Sequence, residues 1–429
     1  VRLRNGLRSG LAVLAGAALL AGCSANNGDY THSTDKVEVL SWWSSESERP
    51  ALDVLVDAFK KANPGVTVID AAVVGGAGAN AQVALSERLA ANNPPDLWQS
   101  LAGSAVDSWA AANRIVDIDS VFASTKIGPT LNPTILQSVT RNGKQWAMPT
   151  GAHRGNNLWF NRQALAKAGV PTPGPGYTQQ RLAQDLDKVA AAGVTPLCLG
   201  AADTFTLVEL FENTLLGIVG ASGWAKIADD RFNWDGPQVH EALDTFWKFR
   251  SQADPNAAQT TWSEAVRKLA KGECAYLSMN DSVYGELSAD GAVDGEQFGY
   301  APFPGTEHTY LAIVDTFVAA RQARNGVNAL KFLQTVADPA TMLAFTKVKG
   351  SVPVRRDVDT AALSPYQRGA SAALWNDSVL LSMAHGELMN TQFQQALYSA
   401  VKDFAKNKNK RAFINTVQLA GASAPVGGR

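Results

Sequence analysis

Between Lys36 and Leu101 the chain alternates short apolar runs with longer segments of helical period. KVEVLSWW (36–43) reads as a strand. ALDVLVDAFKKANPG (51–65) reads as a helix, with Leu52, Leu55, Val56 and Phe59 on one face and Asn63-Pro64-Gly65 as its stop. VTVIDAAVV (66–74) is the next strand, AQVALSERLAANN (81–93) the next helix and DLWQSL (96–101) a third strand. A β-α-β-α-β order leaves few choices, because parallel neighbours need long crossovers and the crossover helices must cover the sheet. A mostly parallel sheet is predicted. The glycine turn GGAGAN (75–80) fits neither GxGxxG nor GxxxxGK[ST], so its glycines are expected to be steric and not a phosphate cradle.

The same pattern starts again near residue 150. NNLWFN, VTPLCLG, ECAYLSMND and LAIVDTFVAA (311–320) read as strands; QQRLAQDLDKVAAAG, TLVELFENTLLGIVG, AVRKLAKGE, NGVNALKFLQTVA and PATMLAFTKV read as helices. The C-terminal third is helical, and its basic run KNKNKR (406–411) reads as a solvated helix face. A chain of 429 residues is too long for one ordinary core. Two α/β sets and a helical tail therefore predict two lobes facing a cleft. In open α/β sheets ligands bind beyond the carboxyl ends of the strands. That rule singles out Trp42-Trp43, Trp98-Gln99, Asn280-Asp281 and Asp315-Thr316-Phe317.

Residues 1–22 differ from the rest. Arg2, Arg4 and Arg8 precede the apolar run LAVLAGAALLAG, and no acid occurs before Cys23. This is the layout of an export signal, with an apolar run too short for a spanning helix. Leu20-Ala21-Gly22-Cys23 is similar to a bacterial lipobox, which implies lipidation of Cys23 and anchorage to the outer face of the cytoplasmic membrane. Residues 23–36 are polar and aperiodic and read as a tether. Loss of 1–22 leaves 35 basic against 39 acidic residues, a net charge of -4, which carries no nucleic-acid footprint. Cys198 and Cys274 sit in short apolar runs and are expected as buried thiols, although an exported protein also permits a bridge. No CxxC or HExxH spacing is present, and neither a metal nor a cofactor is expected.

Eleven tryptophans are the main chemical signal, several of them at loop or strand ends: Trp42, Trp43, Trp98, Trp159 and Trp262. Sugars have apolar C–H faces and hydroxyl rims, so a site for them combines flat rings with planar polar groups. Two adjacent rings on a strand face opposite ways, so Trp42 and Trp43 are not both expected in one core.

The ordered strings Ser41-Trp42-Trp43 with Pro50-Ala51-Leu52, Asn63 to Val66, Gly75 to Ala81, Pro94 to Gln99, His153 to Asn161, Trp262, Lys349-Gly350-Ser351 and His385-Gly386 carry a resemblance. From Lys36 onward the chain resembles extracytoplasmic solute-binding lipoproteins of carbohydrate ABC importers, in particular the glucose/galactose/mannose-binding branch. The resemblance implies a type II, maltose-binding-protein-like α/β fold with a central cleft. Its lobes would be 37–149 with about 312–346, and about 150–311 with about 347–429. It implies a monomer that takes a glucose-like hexose or small oligosaccharide and delivers it to permease subunits. Carried onto this chain, Trp42, Trp43 and Trp262 would stack, and Glu48 (or its competitor Glu46) would accept hydroxyl bonds. Gln99 would make amide contacts, and Asn280, Asp315, Lys349 and His385 would complete the site. His153-Arg154 would line the cleft or serve the structure. Leu101 and Asn280-Asp281-Ser282 depart from the branch, which has a His and a second cleft Trp there. The alternative is a secreted lipoprotein glycoside hydrolase, for which Glu48 and Asp315 are the obvious carboxylate pair. No GxSxG elbow is present, and the expectation is a binder and not an enzyme.

Overall fold

The computed structural model describes residues 35–75 and 78–423. The signal segment 1–22, Cys23 and the tether up to residue 34 lie outside them. Twelve strands are present among the described residues: β1 Lys36–Leu40, β2 Thr67–Asp70, β3 Leu97–Leu101, β4 Thr140–Arg141, β5 Lys144–Gln145, β6 Met148–Arg154, β7 Asn157–Asn161, β8 Thr195–Leu197, β9 Cys274–Ser278, β10 Phe298–Pro302, β11 Thr309–Ala319 and β12 Ser378–Leu381.

The expected β-α-β-α-β unit is present. Strand β1 lies between parallel β2 and β3, joined by the helices Glu48–Ala62 and Ala79–Ala90. The sheet then departs from the parallel expectation. β11 runs antiparallel to both β3 and β6 and parallel to β12. A strand buried on both faces reads as a plain apolar run whatever its direction. All eleven residues of β11 are buried, so LAIVDTFVAA gave no sign of its polarity. The second sheet has the order β10-β7-β9-β8, and only β8–β9 is parallel.

The core forms two apolar clusters, and the first also takes in Trp159, Leu277 and Phe298 of the second sheet. The first is built on Val37, Val39, Phe59, Leu97, Trp98, Phe317, Phe332 and Phe345; the other on Leu158, Phe160, Leu186, Phe211, Phe246, Phe404 and Phe413. The second is capped by the helices Thr391–Asn407 and Lys410–Ser423. KNKNKR is not one helix face. Lys408 takes a left-handed conformation that ends the first helix, and Asn409 accepts from Ala412 N to start the next. Asn tolerates neither helix interior well, and its short side chain favours caps.

Cys198 and Cys274 are bonded, with Cα atoms 5.4 Å apart, so the expectation of two buried thiols is corrected. The reason is strand pairing: β8, which ends one residue before Cys198, runs beside β9, which begins at Cys274. The loop closed spans 76 positions, for which chain entropy gives roughly 4–5 kcal/mol of stabilisation. We expect thiol labelling of both residues only after reduction, and a lower denaturant midpoint for Cys198→Ser/Cys274→Ser; equal midpoints for the variant and the oxidised protein count against the stabilisation.

Candidate functional site

A cavity of about 450 Å³, including its mouth, lies between the two sheets. Its tryptophans come from two places. Strand β1 ends at Leu40, and Ser41 to Ser44 form an irregular segment. That frees Trp42 and Trp43 from strand alternation: both line the cavity and both belong to the first core. The view that the two rings could not share a core is thus corrected. Trp43 is fully buried, edge-on to Phe317 at 5.6 Å and 5.1 Å from Phe345. Trp42 lies over the glycine turn. A Cβ at Gly78, which has φ +76°, would meet the Trp42 ring at 2.7 Å, so the turn is steric as expected. Across the cavity Trp262 opens the helix Trp262–Ala270, its N–H held by Asp203 Oδ2 at 2.8 Å.

Charged groups meet on the face of β11. Register sets Leu101 opposite Asp315 and His153 opposite Ile313, and all four line the cavity. Asp315 Oδ1 accepts from Gln99 Nε2 at 3.0 Å, and its Oδ2 faces His153 Nε2 at 3.3 Å. His153 Nδ1 bonds Asp281. Lys349, the last residue of the helix Pro339–Lys349, points its Nζ inward to Glu48 at 3.2 Å, Ser282 Oγ at 3.3 Å and His153 Nε2 at 3.2 Å. It also sits 5.8 Å from the Trp43 ring centre, in range of a cation–π contact. Burial pushes the Asp315 carboxyl up, but His153 and Lys349 outweigh it and hold it below the usual aspartate value. Burial and Lys349 push His153 down; Asp281 and Asp315 overcome both and keep it above its usual value.

The opposite wall rests on two acids of the helix Phe205–Ala228. Glu209 holds Asn280 and His385, which both line the cavity. Glu212 accepts from Ser382 Oγ, Met383 N and Ala384 N at 2.8, 2.9 and 3.1 Å, fixing the segment that leads to His385. Burial pushes the Glu212 carboxyl up to about 7 despite those bonds and nearby His385.

Residues 43–343 match the family of bacterial extracellular solute-binding proteins. The chain belongs to that family. A probable sugar-binding periplasmic protein of Rhizobium meliloti (strain 1021) is 30% identical over 402 residues, 92% of this chain and 94% of its own. The xylose/arabinose-binding protein XacG of Haloferax volcanii is 26% identical over 344 residues, 77% of this chain and 72% of its own. Maltose-bound MalE3 of T. maritima covers 90% of this chain and 98% of its own with a TM-score of 0.75 at 17% identity, a likeness of fold. The solute-binding protein therefore has the two-lobed α/β fold of maltose-binding-type receptors, and its family membership locates it outside the cytoplasm.

Of the residues singled out in the sequence of this solute-binding protein, Trp42, Trp43, Glu48, Trp262, Asn280, Asp315, Lys349 and His385 all line one cavity. Glu48 is the loop acid there, while Glu46 is exposed. Gln99 is a correction. It does not reach the cavity lining, because Oε1 accepts from Ser41 Oγ at 2.7 Å and Trp42 N at 3.2 Å while Nε2 serves Asp315. Its amide braces the site from behind. Lys349 is a buried member of the network. Sequence reasoning missed Phe205, Met279, Ile313 and the supporting acids Glu209 and Glu212. The acids were visible in principle, since a charge inside the apolar run TLVELFENTLLGIVG has to find partners.

The elevated value at Glu212 has a stability consequence. The native state binds this proton more tightly than the unfolded chain, so its contribution is full below 4.5 and is lost as pH rises to about 7. The difference corresponds to at most about 3 kcal/mol. Urea denaturation across this range should show stability falling with pH, and falling less steeply in Glu212→Gln; equal slopes would refute the assignment.

Proposed function

We propose that this protein is the sugar-binding subunit of an ABC importer, which captures a monosaccharide or small oligosaccharide, a glucose-like hexose foremost, and hands it to a membrane permease. The observation that carries this reading is the cavity itself: Trp42, Trp43 and Trp262 supply ring surfaces around converging Glu48, Asp315, Lys349, Asn280 and His385. Rings cover the C–H faces of a pyranose, and planar or charged groups with fixed partners take its hydroxyls. The names of the relatives from Rhizobium meliloti and Haloferax volcanii point to sugars as well.

In this reading the lobes, 37–149 with about 312–346 and about 150–311 with about 347–429, close over the sugar about a hinge. Closure would bring Glu286 against the 45–47 loop, where it accepts from Ser45 Oγ, Ser47 N and Ser47 Oγ at 2.7, 2.9 and 2.7 Å. A lipid on Cys23 would keep the monomeric receptor beside its permease.

Thermal denaturation against a panel of mono- and disaccharides tests the proposal: one class of sugar should raise the melting temperature and be recovered unhydrolysed. Trp42→Ala should weaken binding of that sugar about 10- to 100-fold, the worth of one buried ring. Trp43→Ala should also lose about 3–5 kcal/mol of stability, because Trp43 packs on Phe317 and Phe345. No melting shift with any sugar, or unchanged affinity in Trp42→Ala, would sink the reading.

A further inference from the structure

Glu209 is fully buried, on the fifth residue of the helix Phe205–Ala228, and it does not line the cavity. A carboxylate in that position needs partners that repay its removal from water. Its Oε1 accepts from Asn280 Nδ2 at 2.6 Å and faces His385 Nε2 at 2.8 Å. The Asn280 backbone N–H reaches Oε2 at 3.2 Å. One oxygen atom thus joins the side chains of two residues that line the cavity.

The proton inventory follows. An ionised carboxylate only accepts, so the imidazole nitrogen that faces it carries the hydrogen. In the neutral ring that leaves His385 Nδ1 as a bare acceptor. Asn280 is fixed in the same way: Oδ1 accepts from Ser282 N at 2.9 Å, and one Nδ2 hydrogen goes to Glu209. The second Nδ2 hydrogen has no partner among the described residues and is the donor that Asn280 offers to the cavity. Glu212 supports the arrangement from the same helix by holding the backbone just before His385.

We infer that Glu209 is a positioning residue of the ligand site, which sets an amide donor on Asn280 beside a bare imidazole acceptor on His385. This pair matches two neighbouring hydroxyls of a polyol, one accepting from Asn280 and one donating to His385. That match rests on the proposed sugar reading; the placement of the two groups does not. A site built this way rejects a sugar that lacks either hydroxyl, because a buried polar group is then left unpaired.

The test needs no ligand at first. The chain has five histidines, so ¹⁵N-histidine labelling of the full protein, with His385→Gln for assignment, resolves the His385 ring in long-range ¹H–¹⁵N spectra. Wild-type protein, at a pH where the His385 ring is neutral, should show Nε2 protonated and Nδ1 bare. Glu209→Gln offers one acceptor oxygen to three donors, so it should melt cooperatively, show a mixture of tautomers and bind the most stabilising sugar of the panel at least about 10-fold more weakly. Wild-type Nδ1 carrying the proton overturns the inference, even if the variant does not fold. A folded Glu209→Gln with unchanged tautomer and affinity also overturns it. A bare Nδ1 in a protein that binds no sugar of the panel overturns the sugar reading and upholds the positioning of His385.

Discussion

Asp315 is the point on which the site turns. It is a carboxylate inside a buried strand, and such a charge is tolerated only when its oxygens are matched. Gln99 on β3 serves one oxygen and His153 on β6 the other. These are the two strands that flank Asp315 in the sheet. The hydrogen bonds that make the charge bearable therefore also fix three strands in register where the cavity floor is formed. A shift of one residue would turn Asp315 away from the cavity and bury it in the opposite face.

The aromatic side depends on a different constraint, which is packing. Trp43 spans core and cavity at once: its ring is wedged against Phe317 and Phe345 and still lines the site. Trp42 is seated on Gly78, where no side chain fits. The segment that carries them is held by Gln99, which accepts from Ser41 and Trp42. Rings set so firmly lose little freedom when a ligand arrives, which is where preorganisation gains affinity.

Much of this was legible in the sequence, and the failures have physical causes. The β-α-β-α-β start followed from periodicity, and the cavity residues from the rule that ligands sit beyond strand ends together with the resemblance in ordered motifs. Strand direction in β11 was not legible, because a fully buried strand has no alternation to read. The role of Gln99 was misread because an amide at a strand end can face a ligand or brace its neighbours, and only the positions of Ser41, Trp42 and Asp315 decide between them. The bond between Cys198 and Cys274 depended on the pairing of β8 with β9, a long-range fact. Glu48 lines the cavity and pairs with Lys349 while Glu46 is exposed, a difference that neighbouring positions in sequence do not reveal.

The charges of the cavity also bear on what it can hold. Lys349 is answered by Glu48, and His153 by Asp281 and Asp315. Each cation already has its anion, so a charged ligand would have to break a buried pair to be satisfied, at a cost of several kcal/mol. A neutral polyol needs no such exchange. It can accept from groups that still have a hydrogen to give, donate to carboxylate oxygens and imidazole nitrogens that still have a lone pair, and leave every ion pair in place. The compensation of charge within the wall thus favours a neutral, hydroxyl-rich ligand for the same reason that it allows Asp315, His153 and Lys349 to be buried together.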